Sequence, residues 1–257
     1  MKTKLVNRAK SLTVPLILLG IWWVGSNSGI WSAYVLPSPP KVFSAFVTML
    51  KSGEMLQNIT ASLSRVLIGF SIAFVLAFCM GVLAGISPKK AVYYNSVVEF
   101  MRHVPPLALI SLLILWFGIG ETSKIIIVVL ASFFPMFLNI KKGIAYCDPK
   151  LIEVGDMLGF DKKKKFISII LPAALPDILV GLRIGLGYSW RAIIGAEMIA
   201  AASGLGYMIL DAQQMSRSDK VIVGIIVIGI VGMLCDAVAG VFIKKFMYDG
   251  GAHNDGV

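Results

Sequence analysis

The sequence predicts an all-α integral membrane protein with six transmembrane helices, and three observations carry that class. Of the 257 residues, 57% are hydrophobic and 15% charged, and the mean hydropathy is +0.84, far from the balance of a soluble domain. Apolar runs recur at close to the length that crosses about 30 Å of hydrocarbon. Backbone groups find no water there, and helices satisfy them internally. The formal charge of +10 comes from Lys and Arg placed between those runs and not gathered into one patch, which reads as membrane topology and not as a nucleic-acid surface.

The elements follow in order. Lys2, Lys4, Arg8 and Lys10 precede the first run, 12–25. No small-residue cleavage pattern follows it, Ile30 and Trp31 continue the apolar character, and Trp22 and Trp23 sit as interface anchors, so the run reads as a retained span and not a signal peptide. In 36–55, proline punctuation gives way to an amphipathic pattern, Val42, Phe43, Phe46, Val47 and Leu50. Lys41 and Lys51 bracket only nine residues, which suits an interfacial helix and not a span. Five further runs, 66–86, 104–119, 125–140, 178–202 and 221–243, complete the six. Gly69, Gly81 and Gly85, then Gly181, Gly185 and Gly187, and Gly224, Gly229, Gly232 and Gly240 give several spans a small face for close helix packing. The expected divisions are a first helix with an extracytoplasmic amphipathic segment (1–57), a transmembrane body (58–246) with a cytoplasmic loop at 148–176, and a cytoplasmic tail (247–257).

Orientation follows from the basic residues. With the N-terminus inside, seventeen of the 24 Lys and Arg fall on inside segments, six fall outside, and Arg191 remains within a span. The positive-inside rule selects this arrangement, which makes both termini and 148–176 cytoplasmic.

Several functions are disfavoured. There is no G-x-x-x-x-G-K-[ST] phosphate loop; the stretch 118–124, GIGETSK, lacks the spacing and falls outside. Neither H-E-x-x-H nor G-x-S-x-G occurs. His103 and His253 are too distant in topology to share a metal, and Cys79, Cys147 and Cys235 have no ligand spacing and read as small apolar fillers. The expectation is a chain with no catalytic residue, metal or cofactor of its own. Its deep ionisable residues are few, Arg191, Glu197 and Asp236, where a secondary transporter usually carries ion sites in several spans. A stand-alone secondary transporter or channel is therefore the second choice.

The charged stretch 151–176, LIEVGDMLGFDKKKKFISIILPAALP, stands out from this background. Asp148 suits an N-cap and Pro149 a first turn, Leu151, Val154 and Leu158 share one face, and Gly159 suits a left-handed cap. That gives about 15 Å of helix. Asp161 suits the next cap, Lys162 to Lys165 are explained by topology, and Pro172 and Pro176 are expected to break the backbone before the next span.

This stretch resembles the EAA loop of the permease subunits of ATP-binding-cassette importers, E-A-A-x-x-x-G, nine residues, then I-x-L-P. Glu153, Gly159, Ile169, Leu171 and Pro172 match that register, while Val154 and Gly155 replace the two alanines. Further stretches, 104–110 (VPPLALI), 115–120 (LWFGIG), 133–139 (FFPMFLN), 181–183 (GLR), 196–201 (AEMIAA) and 204–207 (GLGY), look like the nitrate, sulfonate and taurine branch. The resemblance covers roughly residues 36–246.

The resemblance implies a type I importer permease fold, like that of the methionine importer, in the bacterial inner membrane. It implies a second copy of the permease, two cytoplasmic ATPases that bind ATP with Mg²⁺, an extracytoplasmic solute-binding protein and surrounding lipid. ATPase coupling would fall to Glu153, Val154, Asp156, Met157, Leu158, Gly159 and Phe160. Spans three to five would line the pathway, with Arg102, His103, Pro105, Pro106, Arg191 and Glu197 as pathway or gate candidates. Arg191 has two readings, an anion contact or a structural partner for Glu197 or a neighbouring helix. Glu197 suits packing or gating, and Arg102 with His103 either close an inner gate or snorkel to the interface. The implied substrate is a small anion, a sulfonate such as taurine ahead of nitrate, bicarbonate or a pyrimidine-like heterocycle.

Overall fold

The computed structural model describes residues 2–29 and 31–251, and all regular structure among them is helical. The helices are α1 (Lys2–Asn27), α2 (Pro39–Lys51), α3 (Glu54–Ile86), α4 (Pro88–His103), α5 (Ile110–Phe117), α6 (Glu121–Ala145), α7 (Pro149–Met157), α8 (Lys162–Lys165), α9 (Leu171–Ala200), α10 (Leu205–Gln214) and α11 (Ser218–Gly251). A 3₁₀ turn, Pro106–Leu109, leads into α5, and a π turn, Phe166–Ile170, joins α8 to α9. The expected tail beyond 251, with His253, lies outside the described residues, as does Ile30. The division at 57 falls inside α3, and that at 246 inside α11.

Four helical stretches are long and apolar enough to cross a membrane, Glu54–Ile86, Glu121–Ala145, Lys162–Ala200 and Ser218–Lys245. The expected third span, 104–119, is instead the second half of a broken pair, Ala91–His103 and Pro106–Phe117, bent by 91°. Pro105 and Pro106 are the cause. Neither ring nitrogen can donate to a helical carbonyl, and Val104, pushed off the α region by the following proline, is extended at φ −80°, ψ 117°. Counting that pair as one span gives five, and α1 adds a shorter apolar stretch, Thr13–Asn27. The six-span expectation is met only to that extent.

The core is a tight α3–α6–α9 bundle. Glycine places the α3 and α6 axes close together: a Cβ at Gly69, Gly81 or Gly85 would lie 2.6 to 2.8 Å from Val128, Ile140 or Ile144. Ala73, Ala77 and Ala84 continue this small face against Phe137, Ile140 and Ile178. The amphipathic helix α2 forms as expected, but its buried face is Val42, Ala45 and Met49, packed with Val223 and Val227 of α11. Phe43 and Leu50, assigned to that face by periodicity, are exposed.

Pro172 and Pro176 do not break the chain. Lys162–Ala200 is one 39-residue helical stretch: Pro172 sits in the first turn of α9, just after the π turn, and Pro176 lies inside α9 without ending it.

Candidate functional site

The elbow comprises α7, α8 and the turn between them. Asp148 accepts from the Lys150 backbone N–H at 2.9 Å, and Asp161 from that of Lys164 at 3.0 Å. Gly159 ends α7 with φ +68°. The Phe160 N–H reaches the Gly155 carbonyl, and the Gly159 N–H the Asp156 carbonyl, each at 3.0 Å, the two bonds of a Schellman stop. Gly155 is buried against the π turn, where an added Cβ would lie 2.6 Å from Ile169. The Lys165 ammonium pairs with Asp156, and that of Lys164 lies 4.0 Å from the centre of the Phe160 ring. The lysines that topology alone explained therefore also fasten α7 to α8. The elbow leaves four apolar side chains uncovered, Leu151, Val154, Leu158 and Met157, the last 89% exposed, with Glu153, Asp156 and Lys162 to Lys164 also exposed on it.

At the opposite end of the bundle, where α3 and α6 begin and α9 ends, is a buried ion network. Arg65, 5% exposed, uses all five guanidinium N–H donors. Nε donates to Glu121 Oε2 at 2.6 Å, Nη1 to Glu197 Oε1 at 2.7 Å and the Ser203 carbonyl at 2.8 Å, and Nη2 to Glu121 Oε1 at 2.9 Å and Ser203 Oγ at 2.8 Å. Lys124 donates to Glu121 at 2.7 Å. Two cations thus balance two carboxylates. Glu197, 0% exposed, also accepts from Ser62 Oγ at 2.8 Å and from the Gly206 N–H at 3.0 Å. The Leu205 N–H donates to Ser62 Oγ at 2.9 Å and that of Gly204 to Asn58 Oδ1 at 2.7 Å. Side chains of α3 and α9 thereby satisfy the first N–H groups of α10, which have no intrahelical acceptor, and hold that helix on the bundle.

The remaining candidates lie on one face. Arg102, His103 and Pro106 line a cavity of about 480 Å³ with Phe134, Asn139 and Tyr188, and Pro105 sits at the bend above it. Glu99 Oε1 lies 2.5 Å from Arg102 Nη2 and 3.6 Å from His103 Nε2. Arg191 is exposed, stacks on the Tyr188 ring at 5.6 Å, and lines a second cleft of about 450 Å³ with Trp190, Gly187, Met233 and Asp236. Asp236 is already engaged, accepting from Arg183 at 2.6 and 2.8 Å.

The structure therefore brings together Arg102, His103, Pro106 and, through Tyr188, Arg191, and it places Glu197 elsewhere. The pairing of Arg191 with Glu197 is overturned, since Glu197 is buried on a different face of α9 and held by Arg65. Sequence reasoning missed Arg65, counting it as a loop charge because it abuts the apolar run that starts at Val66. A signal was present: Asn58, Ser62 and Arg65 fall at i, i+4 and i+7, a polar stripe on one helical face.

A membrane helix bundle with a capped apolar elbow at one end, an ion-locked opposite end and a cationic face between them defines a transport subunit. Its fold is that of solved importer permeases. Over 76% of this chain and 97% of the other, it matches a chain of the MetNI methionine ABC transporter in inward-facing conformations with a TM-score of 0.68 at 15% identity. Over 78% and 98%, it matches a chain of an amino acid ABC transporter with histidines at 0.65 and 18%. Residues 73–248 match the family model of the binding-protein-dependent transport system inner membrane component. The chain is 39% identical over 238 residues (93% of this chain, 86% of the relative) to the aliphatic sulfonates transport permease protein SsuC of Bacillus subtilis strain 168. It is 36% identical over 225 residues (86% and 82%) to the taurine transport system permease protein TauC of Escherichia coli K12, and 32% identical over 243 residues (91% and 86%) to the nitrate import permease protein NrtB of Synechocystis sp. PCC 6803. The chain belongs to the family of binding-protein-dependent ABC transporter permeases, in the sulfonate, taurine and nitrate branch, and is a non-catalytic, multi-pass component of the inner membrane.

Proposed function

We propose that this chain forms, with a second copy of itself, the translocation pathway of an ATP-driven importer of a small sulfonate, delivered by an extracytoplasmic binding protein. Both termini and the elbow face the cytoplasm, where seventeen basic residues gather. The observation that carries the reading is the elbow. Four apolar side chains, Leu151, Val154, Met157 and Leu158, stand exposed on a helix that is capped at both ends and braced on the long α8–α9 stretch. Such a surface suits a groove on an ATPase, with Glu153 at its edge. ATP binds with Mg²⁺ in that partner, and none of the coupling residues contributes to hydrolysis. Closure of two ATPases draws two elbows together and rotates the attached bundles outward, and hydrolysis reverses the motion. The sulfonate assignment is supported by the names of the relatives, SsuC and TauC, with nitrate the second choice on NrtB.

The test is co-purification with the ATPase, followed by reconstitution. Met157→Asp places a charge where an apolar side chain would be buried, at a cost of about 1.5–3 kcal/mol, about 10- to 150-fold in ATPase affinity. Glu153→Ala and Gly159→Pro also weaken docking and lower the hydrolysis stimulated by loaded binding protein. Variants that assemble normally and transport at the unmodified rate would sink the coupling assignment.

A further inference from the structure

Arg191 is the one pathway candidate whose charge the chain leaves unanswered. It lies nine residues before the end of α9 at Ala200, about 14 Å along the axis and so close to the middle of a hydrocarbon layer of about 30 Å. Among the described residues its only partner is the Tyr188 ring, and no carboxylate lies within 4.0 Å. The two acids that could serve are committed: Glu197 to Arg65, and Asp236, in the same cleft, to Arg183. The adjoining cavity adds Arg102 and His103, whose near acid, Glu99, is taken by Arg102 at 2.5 Å. A bare guanidinium at this depth is costly against lipid and must face protein or water. The surface around it is open. At Gly187, one turn earlier, an added Cβ would meet only Arg191 Nη2, at 3.8 Å.

We propose that Arg191 is an oxyanion-binding residue of the pathway, taking two oxygens of a passing sulfonate on its planar fork, with Tyr188 holding the guanidinium plane toward the cleft. The inference rests on the reading that this face lines the pathway. A single fork stacked on one ring, with no second cation paired to it, holds the anion loosely enough to release it, as conduction requires. The same chemistry accepts nitrate, whose smaller size leaves the apolar wall of Trp190 and Met233 unused.

The experiment uses the complete complex of permease, ATPase and binding protein in proteoliposomes, with labelled taurine and pentanesulfonate as probes and nitrate as comparison. Arg191→Gln lowers sulfonate uptake about tenfold or more, while assembly and binding-protein-stimulated ATP hydrolysis stay near the unmodified level. Arg191→Lys keeps the charge but not the fork and recovers part of the uptake, and Tyr188→Leu costs less than Arg191→Gln. Unchanged uptake in Arg191→Gln, in a complex that otherwise imports, overturns this assignment alone. So does loss of permease pairing in both Arg191 variants, which would make the residue a tie between copies. An unmodified complex that imports none of the three anions overturns the proposed sulfonate function and this assignment with it.

Discussion

Replacing Arg65 by methionine keeps most of the side-chain volume and deletes one charge from the buried network. Five hydrogen bonds of 2.6 to 2.9 Å disappear together. Glu121 is not stranded, because its carboxylate is 58% exposed and keeps Lys124 at 2.7 Å. Glu197 is stranded: at 0% exposure it retains only the neutral donors Ser62 and the Gly206 N–H. Removing one partner of a buried pair costs about 3–5 kcal/mol, or about two to four orders of magnitude in the unfolding equilibrium. Much of that cost is the penalty for the surviving charge, so Arg65→Met with Glu197→Met together should be far less destabilised than Arg65→Met alone. The assay is reversible unfolding in mixed micelles by titration with a denaturing detergent, run on the wild type, both single variants and the double variant to complete the cycle. A cost below about 1 kcal/mol for Arg65→Met, the range of a hydrated surface pair, would refute the claim that Glu197 depends on Arg65.

Other expectations can be checked separately. Gly155→Leu should drive a side chain into Ile169 and uncouple ATP hydrolysis from uptake while the transmembrane bundle stays intact by circular dichroism; Ile169→Ala should restore part of the coupling. Gly159→Val places a β-branched residue at φ +68°, costs about 1–2 kcal/mol, and should speed proteolysis at the elbow. Gly81→Leu overfills the α3–α6 contact and should cost about 1–3 kcal/mol in the same detergent titration. Cys147 is buried beside Asp148 where α6 meets the elbow, and burial, with a smaller push from that carboxylate, raises its thiol pKa. Its labelling by maleimide should be slow at neutral pH and should quicken if the elbow is loosened by Gly159→Val.

Much of the fold could be read in advance because hydrocarbon allows few choices. The runs 66–86, 125–140 and 221–243 lie within helices that extend a turn or more beyond them, since polar flanks such as 54–65 carry no hydropathy signal yet continue the helix. The elbow was readable to the residue, because Asp148, Gly159 and Asp161 act locally through caps and one backbone dihedral. The prolines acted in both directions. Pro105 with Pro106, at the start of the predicted third span, set it at an angle to a preceding helix that the charge pattern had placed in a loop, whereas Pro172 and Pro176, expected to break the backbone, lie within one continuous helical stretch. The ion network escaped because its members lie up to 146 positions apart, and a charge beside an apolar run looks like a loop until the facing carboxylate is seen.

The helical stretch from Lys162 to Ala200 has the proportions of a lever arm. Its 39 residues extend about 58 Å, with the elbow at one end and Glu197 clamped near the other. A tilt of about 5° pivoting on the clamp displaces the elbow by about 5 Å, one helical pitch. The π turn, Phe166–Ile170, lies beside the elbow, so the departure from α-helical geometry falls at the handle.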